Sequence, residues 1–180
     1  MADKTGRPVL YLVACAAPPA LTIGETIALL QDDGWTVCLI PTPTTATWID
    51  VAALAEQTGY PVRADWRKPQ DPRLLPDADA VLVAPATFNT INKWAVGNND
   101  NYALGILNES LGQRLPMIVY PYARSTLTSH PAYAQHVALL HAAGVSFPGI
   151  DGLQKAASGD RLPWASVQES LRPLHGTRQG

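Results

Sequence analysis

The chain has 180 residues, 47% of them hydrophobic and 16% charged, with a formal net charge of −2. That length and composition suit one globular domain spanning 1–180 with a substantial core, and they exclude a disordered chain. The 13 Lys and Arg residues are scattered, so no concentrated basic stripe is offered to a nucleic acid or an anionic membrane surface.

Lys4 and Arg7 precede an apolar run over residues 9–16. Leu12-Val13-Ala14-Cys15 has the look of a lipoprotein cleavage box, but the apolar stretch is only about seven residues, at the short limit for a signal core. A buried first strand accounts for the same residues. Pro18-Pro19 lead into an amphipathic helix over 21–31, because proline is tolerated in a helix's first turn. Gly34 ends it, and residues 35–41 form a second strand. Residues 47–58 are helical, with Trp48, Val51, Ala52, Leu54 and Ala55 as the apolar face. A short third strand is expected at 60–64, then a surface loop over 66–76, rich in Pro and charge.

Residues 80–84 make the strongest strand in the chain. A helical segment follows from about Asn89, then a strand at 117–120 and a helix at 131–143 closed by Gly144. A last short strand at 145–147, a final helix at 164–174 and a loose tail at 176–180 complete the pattern. No stretch approaches transmembrane length. Strand–helix alternation of this kind predicts an α/β fold, a doubly wound parallel sheet in three α/β/α layers. Ligands of such sheets bind at the carboxyl ends of the strands.

Several chemistries lack their signatures. There is no Gly-x-Gly-x-x-Gly fingerprint, no Walker-type loop and no Gly-x-Ser-x-Gly elbow. Cys15 and Cys38 sit in apolar runs, as buried reduced thiols do, and two cysteines do not make a zinc site by themselves. His130, His136, His141 and His175 all lie in the last third. His136 and His141 are five apart, off the spacing that aligns two ligands on one helix face. No metal site is expected.

Two polar clusters follow predicted strands directly. One is Thr42-Pro43-Thr44-Thr45-Ala46-Thr47; the other runs from Pro85-Ala86-Thr87-Phe88-Asn89-Thr90 through Ile91-Asn92-Lys93-Trp94. Either alone is explained by helix capping. Two at adjacent strand ends favour a bound phosphate, since helix N-termini present free N–H groups and partial positive charge.

The second cluster, continued by Gly97 and Asp100-Asn101, resembles the Pro-Ala-Ser-Ala-Asn-Thr motif of the flavin-containing cysteine decarboxylase family, which has phosphopantothenoylcysteine and lantibiotic branches. Thr42-Pro43-Thr44-Thr45 is similar to that family's flavin loop after the second strand, and Leu12-Val13-Ala14-Cys15-Ala16 to its first strand. The resemblance runs in order over roughly residues 8–150. It implies a Rossmann-like FMN-binding fold in trimers or multiples of trimers, with flavin between subunits. It further implies that Thr42 and Thr44 contact the flavin phosphate or ribityl chain. Ala86, Thr87, Phe88, Asn89 and Thr90 would hold FMN together with Ala123 and Arg124. Asn89 would also face the substrate carboxylate as the catalytic residue, and Asp100 would lie near a subunit contact. A small-molecule or peptide substrate and a cytoplasmic location are implied, with no nucleic acid or membrane.

The chain departs from the family pattern twice. Members carry a His before the motif strand, whereas no His lies between Ile49 and Ala84 here. The substrate motif Pro-x-Met-Asn-x-x-Met-Trp is replaced by Pro121-Tyr122-Ala123-Arg124-Ser125-Thr126-Leu127-Thr128, which keeps only the Pro. Loss of a general base commonly removes a factor of about 100 to 10,000 in rate. Three functions follow: an FMN-dependent decarboxylase of a non-standard cysteine-like or acid substrate, a catalytically degenerate FMN carrier or partner, and a flavin prenyltransferase-like enzyme. Arg124 lies near an Arg that contacts phosphate in the prenyltransferases, but their basic replacement of Asn89 is absent. A surface salt bridge would account for Arg124 equally well.

Overall fold

The computed structural model describes residues 6–66, 70, 72, 74–148 and 162–176. Within them the apolar runs become strands β1 (Val9–Ala14), β2 (Thr36–Pro41), β3 (Ala80–Ala86) and β4 (Met117–Pro121). They lie in the order β2-β1-β3-β4, and every pairing is parallel. Strands covered on both faces read as continuous apolar runs, and β3 is buried along its whole length.

Between strands, the chain forms helices α1 (Ile23–Asp32), α2 (Pro43–Ala46), α3 (Val51–Thr58), α4 (Phe88–Ala95), α5 (Tyr102–Gly112), α6 (Ser125–Thr128), α7 (Pro131–Ala142) and α8 (Trp164–Leu171). Alternate strand residues point to opposite faces, and the core divides accordingly. On one face Leu10, Leu12, Leu82 and Ile118 pack with Ile27 and Leu30 of α1, Leu54 of α3, and Val167 and Leu171 of α8. On the other, Val13, Val83 and Val119 pack with Ile91 and Trp94 of α4, Leu104 and Leu107 of α5, and Val137 and Leu140 of α7. This is the doubly wound, three-layer arrangement that the alternation predicts. The Tyr120 hydroxyl, 2.9 Å from both Ser166 and Ser170, ties α8 to β4. Among the described residues no helix is long and apolar enough to cross a membrane.

Five boundaries differ from the sequence expectation. Residues 60–64 form no strand; Gly59 closes α3 at φ 73°, and Pro61 removes a ladder donor. The expected strand at 145–147 is a single bridge between Ile118 and Ser146, and Pro148 stops its extension. The helix placed at 47–58 starts at Val51, where the Asp50 carboxylate accepts the Ala53 N–H at 3.0 Å. The segment from Asn89 is two helices, because Gly97 adopts φ 71° and Asn101 caps a new start. The last helix ends at Leu171 and continues as a 3-10 turn over Arg172–Gly176. Residues 67–69, 71 and 73 of the expected loop at 66–76, and the tail beyond residue 176, lie outside the described residues.

Leu12 is fully buried at the centre of the sheet. Leu12→Ala is expected to lower the unfolding free energy by about 2–5 kcal/mol. The check is a shifted denaturant midpoint at unchanged m-value.

Candidate functional site

The chain runs from β1 outward to β2, returns past β1 to β3, and continues to β4. Strand order therefore reverses between β1 and β3, so the connections leaving these two carboxyl ends part and open a crevice. A cleft of about 550 Å³ lies there, within the usual size range of small-molecule sites. All four strand ends contribute. Ala16, Ala17 and Pro18 follow β1, and Thr42, Pro43 and Thr44 follow β2. Thr87, Phe88, Asn89 and Thr90 follow β3, and Tyr122, Ala123 and Arg124 follow β4.

The floor is built from the same four-residue pattern twice. In Thr42-Pro43-Thr44-Thr45, the Thr45 N–H donates to the Thr42 hydroxyl oxygen over a long 3.4 Å, and the two hydroxyls are 2.7 Å apart. The Thr45 hydroxyl donates its one proton to the Ala14 carbonyl at 3.0 Å. The Thr42 proton must then point to Thr45, not into the cleft. In Thr87-Phe88-Asn89-Thr90, the Thr90 N–H likewise donates to Thr87 at 3.4 Å. The Thr87 hydroxyl donates to that of Thr90 at 3.2 Å. Both clusters are therefore helix caps and cleft lining at once.

With the hydroxyl protons committed, the first-turn N–H groups of Thr44, Phe88 and Asn89 have no helical acceptor. They are the donors that the floor offers to an anion. The Asn89 side chain is exposed in the cleft. These groups fit a phosphate held by dipoles without lysine contact.

Behind the floor sits Cys15, buried and free. Burial pushes its thiol pKa up, while hydrogen bonds from the Thr90 hydroxyl and the Thr87 N–H partly oppose the rise. Among the described residues the cleft lining contains two charged residues, Lys93 and Arg124, and no Asp, Glu, His or Cys. Lys93 is paired with Asp100 at 2.5 Å. That contact holds the Asp100 carboxyl below its usual pKa. Among the described residues the Arg124 guanidinium has no hydrogen-bond or ion-pair partner.

Of the residues singled out in the sequence, Thr42, Thr44, Thr87, Phe88, Asn89, Thr90, Ala123 and Arg124 come together in the cleft. Ala86 lies outside its lining, fully buried at the end of β3, with its carbonyl accepting the Tyr122 N–H at 2.7 Å. The sequence reading missed Ala16, Ala17 and Pro18, although the segment after a first parallel strand is where a ligand is expected. Lys93 and Asn101 stood inside the recognised motif without a role. Tyr122 lines the cleft, whereas Trp94 is in the core and Trp66 packs edge-on to Tyr102.

Three of the four histidines have hydrogen-bond or ion-pair partners outside the cleft lining. His130 caps α7, His136 is 2.6 Å from Asn92, and His175 is 3.2 Å from Asp33. Among the described residues no cluster of three or more His, Cys, Asp or Glu is placed to hold a metal.

A family model described as Flavoprotein matches residues 2–169. The coenzyme A biosynthesis bifunctional protein CoaBC of Mycolicibacterium smegmatis is 30% identical over 166 residues, which cover 88% of this chain and 39% of that protein. The chain thus spans about two-fifths of that relative's length. Among solved structures, the FMN binding protein AtHal3 superposes with a TM-score of 0.74 at 20% identity, over 97% of this chain and 100% of that one. A PPC decarboxylase mutant complexed with pantothenoylaminoethenethiol gives a TM-score of 0.73 at 20% identity, over 93% and 97%. At that identity the superpositions establish the fold.

Because Thr87 caps α4, Thr87→Ala is expected to destabilise the flavin-free protein by about 0.5–2 kcal/mol, with Thr87→Ser close to wild type. Equal denaturant midpoints for Thr87→Ala and wild type would show that the cap contributes nothing.

Proposed function

The chain belongs to the flavoprotein family, and on that footing we propose that it binds FMN and oxidatively decarboxylates a cysteine-like thiol or other acid outside the family's standard substrates. The observation that carries this reading is the cleft at the strand-order reversal, floored by two Thr-x-x-Thr caps with unused N–H groups. We assign Thr42 and Thr44 to the phosphate or ribityl end of FMN. Thr87, Phe88, Asn89 and Thr90 hold the remainder, with Ala86 supporting the end of β3 and the Ala123-Arg124 backbone closing the side at β4. We further propose trimers with flavin between subunits, a reading supported by Leu127, which is 42% exposed while lining the cleft.

FMN, when bound, supplies the two-electron oxidation of a thiol that allows the neighbouring carboxylate to leave as carbon dioxide. The chain's own contribution is orientation. Asn89, whose amide has no protein partner among the described residues, donates to the substrate carboxylate. Among the described residues no imidazole or carboxylate lines the cleft to take the thiol proton, so a substrate that ionises readily suits it best. The same observation favours a second reading, a carrier that binds FMN and turns nothing over.

The purified protein is expected to show flavin absorbance, to release FMN on denaturation, and to liberate carbon dioxide from a cysteine-terminated peptide or a related thiol acid. FMN bound without carbon dioxide release selects the carrier. A colourless chain that does not take up added FMN overturns both. Asn89→Asp, which sets a charge beside the flavin, is expected to weaken FMN retention at least about tenfold; unchanged flavin content removes Asn89 from the site.

A further inference from the structure

We propose that His136 is a positioning residue of the flavin site, acting through Asn92 on the peptide group that turns the Asn89 N–H into the cleft. The role presupposes FMN in the cleft and goes on to identify what fixes one of its donors. An unbroken path joins the two. His136 Nδ1, on α7, lies 2.6 Å from Asn92 Oδ1, on α4. The Asn92 Nδ2 group in turn donates to the Phe88 carbonyl at 2.8 Å. Phe88 and Asn89 line the cleft, whereas His136 and Asn92 stand behind it.

The planarity of the peptide bond carries the effect forward. The Phe88 carbonyl and the Asn89 N–H belong to one rigid trans unit, in which oxygen and hydrogen point in opposite directions. A side chain that holds the oxygen toward the body of α4 therefore aims the hydrogen out of its N-terminus, where no helical acceptor waits. The Thr87 cap holds the same turn only through a long 3.4 Å contact with the Thr90 N–H. The Phe88 ring is gripped from the α7 side as well, edge-on to His130 at 5.9 Å and stacked on Tyr133 at 6.0 Å between centroids. Among the described residues of the lining none comes from α7, so its contribution to the cleft is this hold on the first turn of α4.

The proton positions follow from the partners. A carbonyl only accepts, so the Asn92 atom facing Phe88 is the amide nitrogen and the one facing His136 is the oxygen. That oxygen needs a donor, which puts an imidazole proton on Nδ1. A protonated ring also donates from Nδ1, so the tether holds in both charge states of the histidine. Asparagine at position 136 would carry its Nδ2 where the imidazole carries Nδ1. Glutamine would carry its amide nitrogen nearer the place of Nε2. The two amides therefore separate the tether from mere filling of the space.

The test titrates FMN into the full chain stripped of flavin and follows the quenching of flavin fluorescence. His136→Gln and His136→Ala are expected to raise the FMN dissociation constant about tenfold, the scale of one hydrogen bond. His136→Asn should restore most of the wild-type affinity. Asn92→Ala should match His136→Ala, and the two together should lose no more than either alone, since both cut one path. Nitrogen chemical shifts of the neutral His136 ring in the flavin-free wild type are expected to show the Nδ1–H tautomer, a measurement that needs no variant to fold. Wild-type affinity in His136→Gln overturns the proposal. So does His136→Asn binding as weakly as His136→Ala, additive losses in the pair, or an Nε2–H tautomer. A wild-type chain that takes up no FMN overturns the flavin reading and this use of the tether with it. The Nδ1–H tautomer would still be seen in that case, which tells it apart from a failed tether.

Discussion

Threonine hydroxyls grip the carboxyl end of β1 from both sides, and the cleft rests on that grip. Thr45 holds the Ala14 carbonyl from the β2 side. The Thr90 hydroxyl and the Thr87 N–H reach the Cys15 thiol from the β3 side. The same residues end their own strands by starting helices, because an N-cap needs an extended backbone and a side-chain oxygen turned toward the following N–H. One residue type thereby performs strand termination, helix initiation and attachment to the central strand. The cleft floor cannot shift without breaking hydrogen bonds on both sides of β1.

That arrangement also decides the electrostatics. A hydroxyl has one proton, and the floor hydroxyls at Thr42, Thr45 and Thr87 direct theirs to other protein oxygens. What the floor offers a ligand is backbone N–H, fixed in direction and indifferent to pH. Burial raises the Cys15 pKa and so keeps the thiol behind the floor neutral. Charge is confined to the cleft wall, where the Lys93–Asp100 pair cancels and Arg124 does not. The cavity thus has a neutral end at the two caps and a cationic, exposed end at Arg124.

Much of this was legible in the residues. The four strands come from apolar runs too continuous for one-sided burial, and their parallel pairing follows from the helices between them. Eight of the nine residues expected to bind cofactor line the cleft, because polar residues just after buried strands have few places to go but the carboxyl edge of the sheet. The failures have local causes. The 60–64 segment carries strand-like residues, but Pro61 lacks an N–H, and the stretch is apolar because Val62 packs into the core. Ala86 also belongs to the motif, and as the last residue of β3 it has its side chain sealed in the core.

The order of apolar and polar residues was enough to determine the layers, the side of the sheet that carries the site, and the threonine pairs that start the helices there. These are short-range matters, settled by periodicity and capping within a few residues. Sequence could not say whether Thr42 and Thr87 cap or bind, since both roles ask for the same side chain. Nor could it say whether Arg124 is paired, because its possible partners are distant in the chain. Only the tertiary structure brings β1 between the two caps, uses the hydroxyl protons, joins Lys93 to Asp100 and leaves Arg124 without a partner among the described residues. Hydrogen-bond and charge satisfaction depend on which groups meet in space, and strand order decides that.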